Sequence, residues 1–130
     1  MIPKRVTVLC AIITFGDKTL VVQRSKTMNH PLKWEFPGGK IEPNETEIDC
    51  ILREIKEELD IEITPLKKLK SSTFEYPNIA IELIPYLATY KCGIIKLKEH
   101  KQYKLLKKEE LVYLDWAEAD LPIVKELLTL

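Results

Sequence analysis

Three glutamates, Glu54, Glu57 and Glu58, are spaced so that they would meet on one face of a helix. Carboxylates at this spacing repel one another by roughly 0.2–0.5 kcal/mol per exposed pair, and by more when desolvated, so we expect a cation among them. Oxygen ligands without a neighbouring Cys or His suit Mg²⁺, or Mn²⁺ as its substitute, better than zinc. Taken alone, however, the pattern favours the simpler interpretation of a charged helix that faces solvent.

The three glutamates lie in a segment, residues 46–59, whose apolar residues recur at helical spacing. Thr46 is a plausible N-cap, and Asp49 follows three residues later in the manner of a capping box. The pattern therefore predicts a helix with an aliphatic buried face and a separate acidic face. The predicted buried residues are Ile48, Ile51, Leu52, Ile55 and Leu59.

Strand patterns flank this helix on both sides. Residues 5–15 and 19–25 are rich in β-branched side chains, and the short Gly16-Asp17-Lys18 segment between them predicts a β-hairpin. Residues 80–92 predict a third strand, in which Pro85 indicates a bulge or an edge position. A second helix is predicted over residues 122–130, with its proline in the first turn. Together these elements predict a mixed α/β fold.

The composition limits the expected partners and setting. A length of 130 residues fits one domain, predicted to span residues 1–130. Basic and acidic residues number 20 each, so neither a nucleic acid polymer nor a membrane is expected as a partner. Residues 6–15 are too short and mixed for a membrane span and indicate a buried strand. Cys10, Cys50 and Cys92 lack the spacing of a zinc or redox site, which indicates a reducing, cytoplasmic location.

A longer pattern surrounds the acidic helix and runs G-x5-E-x7-R-E-U-x-E-E-x2-U, where U is aliphatic. It resembles the Nudix box. The matching positions are Gly39, Glu45, Arg53, Glu54, Ile55, Glu57, Glu58 and Ile61. Asp60 departs from the pattern, since the family usually has glycine there as a left-handed helix cap, a conformation that Asp tolerates. The segments "WEFPGGKIE" at 34–42, "QR" at 23–24 and "ADLP" at 119–122 are similar to the MutT branch, with its CTP pyrophosphohydrolases and 8-oxo-dGTP diphosphatases.

The resemblance implies the Nudix fold, an α/β/α sandwich around a mixed β-sheet in which the box forms a loop–helix–loop. It also implies hydrolysis of a nucleoside triphosphate to a monophosphate and pyrophosphate. By position, Glu54, Glu57 and Glu58 would ligate Mg²⁺, with the Gly39 carbonyl as a further ligand. The bound metal would neutralise the polyphosphate and activate the attacking water.

Three further residues acquire supporting or catalytic roles from the resemblance. Glu45 would support the metal site. Arg53 would orient a carboxylate by a charge-assisted hydrogen bond without touching the substrate. The general base would be a box glutamate or Glu99, which occupies about the place of a mobile loop glutamate in MutT-like enzymes.

Four residues are predicted to bind the substrate: Arg24, Glu35, Lys40 and Asp120. The arginine of MutT-like proteins that corresponds to Arg24 reaches the nucleotide, although a surface arginine at a strand end is the alternative. Glu35 alternates with two aromatic residues, Trp34 and Phe36, which should share the opposite, core-facing side. Lys40 directly follows the glycines and would meet a phosphate, or it would be an ordinary exposed lysine.

Asp120 has two interpretations that the sequence leaves open. Its carboxylate would accept a hydrogen bond from an exocyclic amino group, as acidic residues do from cytosine N4, and it corresponds to a base-reading position in MutT-like enzymes. It would otherwise be the N-cap of the second helix. The first interpretation predicts a cytidine nucleotide as substrate, followed by an oxidised or modified purine nucleotide.

Other residues are predicted to have no direct part in the chemistry. Cys50 should pack, and His30 and His100 are placed in loops without a role. Glu82 is a weak candidate for a pocket-facing residue on the third strand.

Alternative substrates are nucleotide sugars and dinucleoside polyphosphates, and a nucleotide sensor without turnover is a further alternative. The expected oligomeric state is a monomer or a homodimer.

Overall fold

The long apolar strand β1 (Lys4–Phe15) organises the fold. The computed structural model describes residues 4–130, so residues 1–3 of the predicted domain lie outside the described part. β1 pairs in parallel with β7 (Ile79–Cys92) over almost its whole length. Alternate residues of β1 enter two different apolar clusters, one on each face of the sheet. A strand buried on both faces is an unbroken apolar run, which is the pattern seen at the buried residues 9–13.

The other strands pair antiparallel around this central pair. β2 lies beside β1 and also pairs with β3 and β8, whereas β4 pairs with another part of β1. β5 and β6 both pair with β7. Their bounds are β2 Lys18–Gln23, β3 Trp34–Glu35, β4 Gly38–Lys40, β5 Glu62–Lys68, β6 Ser72–Tyr76 and β8 Gln102–Lys107.

Two α-helices cover opposite faces of the mixed sheet. Helix α1 (Glu47–Leu59) packs in one apolar cluster, and the short helix α2 (Leu121–Leu127) packs in the other. Two 3₁₀ helices, Lys108–Tyr113 and Glu118–Asp120, precede α2. This helix–sheet–helix layering confirms the predicted α/β/α fold. In the described part of the chain, neither helix has the length and apolar character needed to cross a membrane.

Most of the predicted elements are present, and Pro85 lies at a break in the pairing of its strand. The three strands, the hairpin and the two helices are found within a few residues of the predicted bounds, although α2 ends at Leu127. Pro85 pairs with Cys10 of β1 on one side, but on the other side it lies between the end of the β6 pairing at Leu83 and the start of the β5 pairing at Tyr86, which is a local edge, one of the two predicted alternatives. Its missing N–H is tolerated at the point where the antiparallel neighbour of β7 changes from β6 to β5.

Helix α1 begins and ends as the sequence predicts, but its buried face is displaced. Thr46 Oγ1 accepts a hydrogen bond from the Asp49 N–H at 3.0 Å. Ile48 and Leu52, predicted to be buried, are 39% and 37% exposed, whereas Cys50 is fully buried. The reason is that β4 adds backbone to the sheet on the Cys50 side of the helix, where the Cys50 thiol lies 3.6 Å from the Lys40 carbonyl. The prediction that Cys50 packs is confirmed.

Asp60 adopts the left-handed conformation (φ 58°) expected for the cap of α1, and its N–H bonds to the Lys56 carbonyl. Because glycine adopts this conformation without steric cost, Asp60→Gly should raise the free energy of unfolding by up to about 1 kcal/mol, less the small contribution of the exposed Lys56 ion pair. Asp60→Ala should lower it by about the same amount. Urea denaturation of both variants tests this, and equal effects of Gly and Ala would contradict it.

Candidate active site

Two glycines of β4 lie directly against the acidic face of α1. A Cβ atom added to Gly39 would stand 2.2 Å from Glu54 Oε2, so this carboxylate occupies the space that a side chain would need. Next to it, the Gly38 N–H points at Glu58 Oε1, 3.4 Å away. The absence of a side chain at Gly39 therefore lets the backbone of β4 lie directly against the Glu54 carboxylate.

Arg53 holds three carboxylates in place. Its Nε and Nη2 donate to both oxygens of Glu45, at 2.7 and 2.9 Å, and its Nη1 lies 2.7 Å from Glu54 Oε1 and 3.2 Å from Glu57 Oε2. A further bond reaches the Lys40 carbonyl at 3.1 Å. The Arg53 hydrogen bonds lower the pKa of Glu45 to about 2, and the same carboxylates raise the pKa of Arg53. Arg53 thus orients carboxylates as expected, while Glu45 orients Arg53.

Glu58 is the carboxylate that this arginine does not reach. Burial, followed by the negative charges of Glu54, Glu35 and Glu99, raises the pKa of Glu58 to about 8, and the Gly38 N–H only partly opposes this. A bound cation would relieve the same repulsion. Over residues 4–130 no three acidic, His or Cys side chains already form a metal-binding cluster. The donors present are oxygens, which fits Mg²⁺, an ion that keeps several waters and few protein ligands.

A cavity of about 440 Å³ lies beside Gly38 and Gly39 of β4. This volume is within the range of pockets that bind small molecules. One part of its wall is apolar and includes Phe36, Ile81 and Leu83, and the other part is polar. The predicted site residues in its lining are Arg24, Glu35, Gly39, Lys40, Glu58, Glu99 and Asp120.

Glu35 is held from two sides within the cavity. Its Oε1 accepts from Arg24 Nη1 at 2.8 Å, and its Oε2 lies 2.8 Å from His100 Nε2. Since an ionised carboxylate only accepts hydrogen bonds, Nε2 is the donor of the second pair. The predicted alternation is confirmed, because Trp34 and Phe36 are 6% and 3% exposed on the core side.

Asp120 uses its carboxylate in a way that the sequence did not indicate. It is the residue before α2, yet its side chain makes no capping hydrogen bond to that helix. Instead, Oδ2 accepts the Phe36 N–H at 2.9 Å, and the residue is 5% exposed and lines the cavity. Burial raises the pKa of Asp120 to about 8, helped by the charge of Glu35. The interpretation of Asp120 as an ordinary capping residue is therefore wrong.

The loop from residue 93 to 101 brings Glu99 to the end of the cavity near Glu58. It is bonded to the end of α1, since the Lys96 N–H donates to the Leu59 carbonyl and the Lys98 N–H to the Glu58 carbonyl. Glu99 itself is exposed. His100 is 8% exposed and was not identified from the sequence as a functional residue, although it directly follows the predicted loop glutamate.

Some candidates lie outside the cavity lining. The cavity lining does not include Glu45, Arg53, Glu54 or Glu57, and the Glu57 side chain is 60% exposed. Glu82 does not face the cavity as suggested, because Ile79, Ile81 and Leu83 do so on the same strand. It lies 3.5 Å from the Ser71 hydroxyl instead.

Comparison with known proteins gives consistent results. A family model described as the NUDIX domain matches residues 3–127. The chain is 32% identical over 127 residues to a CTP pyrophosphohydrolase of Escherichia coli (strain K12), with 98% of this chain and 94% of that protein covered. It is 43% identical over 56 residues to an 8-oxo-dGTP diphosphatase of Proteus vulgaris, covering 43% of this chain and 50% of the other. A solution structure of MutT from methicillin-resistant Staphylococcus aureus 252, described as a Nudix hydrolase, has a TM-score of 0.80 and 41% identity, with 98% of each chain covered.

The two glycines of β4 should respond differently to alanine. At Gly39 the new Cβ would meet only the flexible end of Glu54, whereas at Gly38 it would stand 1.9 Å from the Leu9 carbonyl oxygen, which is backbone. Gly39→Ala should therefore stay folded with weaker Mn²⁺ binding, and Gly38→Ala should lose at least about 3 kcal/mol of stability. Thermal unfolding and Mn²⁺ titration by electron paramagnetic resonance test both. Unchanged Mn²⁺ affinity in Gly39→Ala would contradict the proposed contact.

The buried Asp120 should make stability depend on pH. Its pKa is about 8 in the folded chain against an ordinary value of 3.8, so its contribution to stability is greatest below pH 4 and is lost as the pH rises to about 8. Asp120→Asn retains an acceptor for the Phe36 N–H and does not titrate. Relative to the parent, this variant should gain on the order of a few kcal/mol between pH 4 and pH 8. Urea denaturation at both pH values, with the exposed Asp115→Asn as a control, measures it; a pH-independent difference would show that Asp120 is not buried as described.

Proposed function

This chain belongs to the Nudix family, in its MutT-like branch, and we propose that it is a Mg²⁺-dependent nucleoside triphosphate pyrophosphohydrolase. The proposed reaction converts a nucleoside triphosphate and water to a nucleoside monophosphate and pyrophosphate. One observation carries the proposal: a single cavity has Asp120 and Phe36 in its lining together with Gly39 and Glu58. An apolar wall and one end of the proposed cation site, Gly39 and Glu58, thus belong to one pocket.

We infer that the cation is held by Glu54, Glu57 and Glu58, with the Gly39 carbonyl as a further ligand. When bound, Mg²⁺ neutralises the polyphosphate charge and lowers the pKa of a coordinated water. Arg53 restrains Glu54 and Glu57 through its 2.7 and 3.2 Å contacts, which limits their rotamers before the substrate arrives.

The remaining polar groups divide into those for the phosphates and one for the reacting water. Lys40 directly follows the two glycines of β4, is exposed and lines the cavity, and its ammonium supplies positive charge to the phosphates. Glu99 is close enough to raise the pKa of Glu58 and is exposed, so it is the proposed acceptor of the proton of the attacking water.

The proposed base preference is for a cytidine nucleotide, followed by an oxidised purine nucleotide. One oxygen of Asp120 is used by the Phe36 N–H, which leaves the other for the base. An ionised Asp120 accepts from an exocyclic amino group such as cytosine N4, and a protonated one donates to a ring nitrogen or carbonyl. The names of the similar E. coli and Proteus proteins support these two types of substrate.

The function is tested by pyrophosphate release from canonical, methylated and oxidised nucleoside triphosphates in the presence of Mg²⁺. Glu57→Gln should lower turnover by at least about a hundredfold on every substrate, and Asp120→Ala should change the preferred base. Glu62→Gln, a change of an exposed glutamate on β5 away from the cavity, is the matched control and should be neutral. A parent protein that is inactive on all triphosphates but active on nucleotide sugars or dinucleoside polyphosphates would replace the proposed substrate class.

A further inference from the structure

His100 lies in the cavity in an environment that is unusual for a residue with a purely structural part. Its side chain is 3% exposed, and its Nε2 donates to Glu35. Among residues 4–130 no protein group forms a hydrogen bond with its other ring nitrogen, Nδ1. A buried polar atom without a partner destabilises a fold by about 1–3 kcal/mol, and an apolar side chain at this position would avoid that penalty.

Because His100 directly follows Glu99, its hydrogen bond to Glu35 restrains the loop that carries Glu99. On one side of Glu99, the Lys98 N–H is bonded to the Glu58 carbonyl at the end of α1. On the other side, His100 is bonded to the Glu35 side chain beside β2. The loop that carries Glu99 is therefore attached on one side to the end of α1, and on the other side to the cavity wall by the His100 side chain and to β2 by the Lys101 N–H, which donates to the Gln23 carbonyl.

We propose that His100 is a positioning residue, which fixes Glu99 next to the α1 carboxylates through its hydrogen bond to Glu35. The proposal rests on the proposed function, because it assigns His100 a part in placing the group that takes the proton. It also connects the two ends of the pocket. Arg24 and His100 bind opposite oxygens of Glu35, so a nucleotide that moves Arg24 or Glu35 also moves the attachment of Glu99.

The kinetic test is a double-mutant cycle between His100 and Glu99. His100→Ala should lower kcat by up to about a hundredfold with little change in KM, because a displaced catalytic group affects turnover more than binding. Combined with Glu99→Gln, it should cause little further loss. Independent, multiplied losses in the double variant would overturn the proposal.

Two further variants separate positioning from a general effect on folding. His100→Gln retains an N–H donor that can reach Glu35 and should recover most of the lost kcat, whereas the apolar His100→Leu should not. Lys101→Ala, next in the chain and bonded through its backbone to Gln23, is the matched control and should match the parent. Equal kcat for the Gln and Leu variants would show that the hydrogen bond has no part in turnover.

A measurement without substrate distinguishes failure of this proposal from failure of the proposed function. Amide hydrogen exchange at Lys98 should be faster by about tenfold in His100→Ala, as expected when one hydrogen bond to a carboxylate is lost, and it should be unchanged in Lys101→Ala. Glu35→Gln should produce a similar but smaller effect. Unchanged exchange at Lys98 in His100→Ala would contradict the attachment, whether or not the protein hydrolyses any triphosphate.

Discussion

The close approach of the Gly38-Gly39 backbone to the acidic face of α1 determines how the parts of the site are arranged. A Cβ at Gly39 would overlap the Glu54 carboxylate, and one at Gly38 would overlap the backbone of β1. The same short strand pairs with β1 and forms part of the cavity lining. Because these two glycines pair with β1, contact the carboxylates of α1 and line the cavity, main-chain packing helps to set the distance between the cavity and the carboxylates.

The single arginine near Gly38 and Gly39 neutralises some of the neighbouring carboxylates but not all of them. Arg53 neutralises the side of the cluster that contains Glu45, Glu54 and Glu57. Glu58 receives only a long bond from the Gly38 N–H and is surrounded by other carboxylates, so its proton is held more tightly than usual. The negative charge without a cationic partner is therefore concentrated on the side of α1 that faces the cavity. A divalent cation bound there would lie beside the cavity, where a metal can be shared between carboxylates and the phosphates of the proposed substrate.

Local patterns in the sequence were enough to predict the frame of the molecule. The period of α1, its Thr46 cap, the Gly16 turn and the apolar run of β1 each depend on neighbours a few residues away. The errors arose where a distant segment decides the environment. Ile48 and Leu52 are exposed because β4 covers the Cys50 side of α1.

The same distinction explains which parts of the site could be anticipated. Arg53, Glu54, Glu57 and Glu58 are close in sequence, so their spacing alone places them on one helix. Glu35 meets His100 across 65 residues, and Phe36 meets Asp120 across 84. No periodicity relates such positions, so the roles of Asp120 and His100 depend on tertiary packing. The adjacency of His100 to Glu99 was the one local signal available for it.

Burial of Asp120 gives the cavity a means of discrimination that an exposed carboxylate would lack. One oxygen is satisfied by the Phe36 N–H, and the other can find a partner only within the cavity. A base that forms this hydrogen bond leaves no polar atom unpaired, whereas a base that cannot form it leaves a desolvated oxygen without a partner, at about 1–3 kcal/mol. In sites of this kind, the cost of leaving a buried polar atom unpaired contributes more to rejecting the wrong ligand than the loss of the favourable hydrogen bond does. If Asp120 reads the base as proposed, selectivity depends on keeping water away from its carboxyl group, and the apolar walls contributed by Phe36, Ile81 and Leu83 favour that.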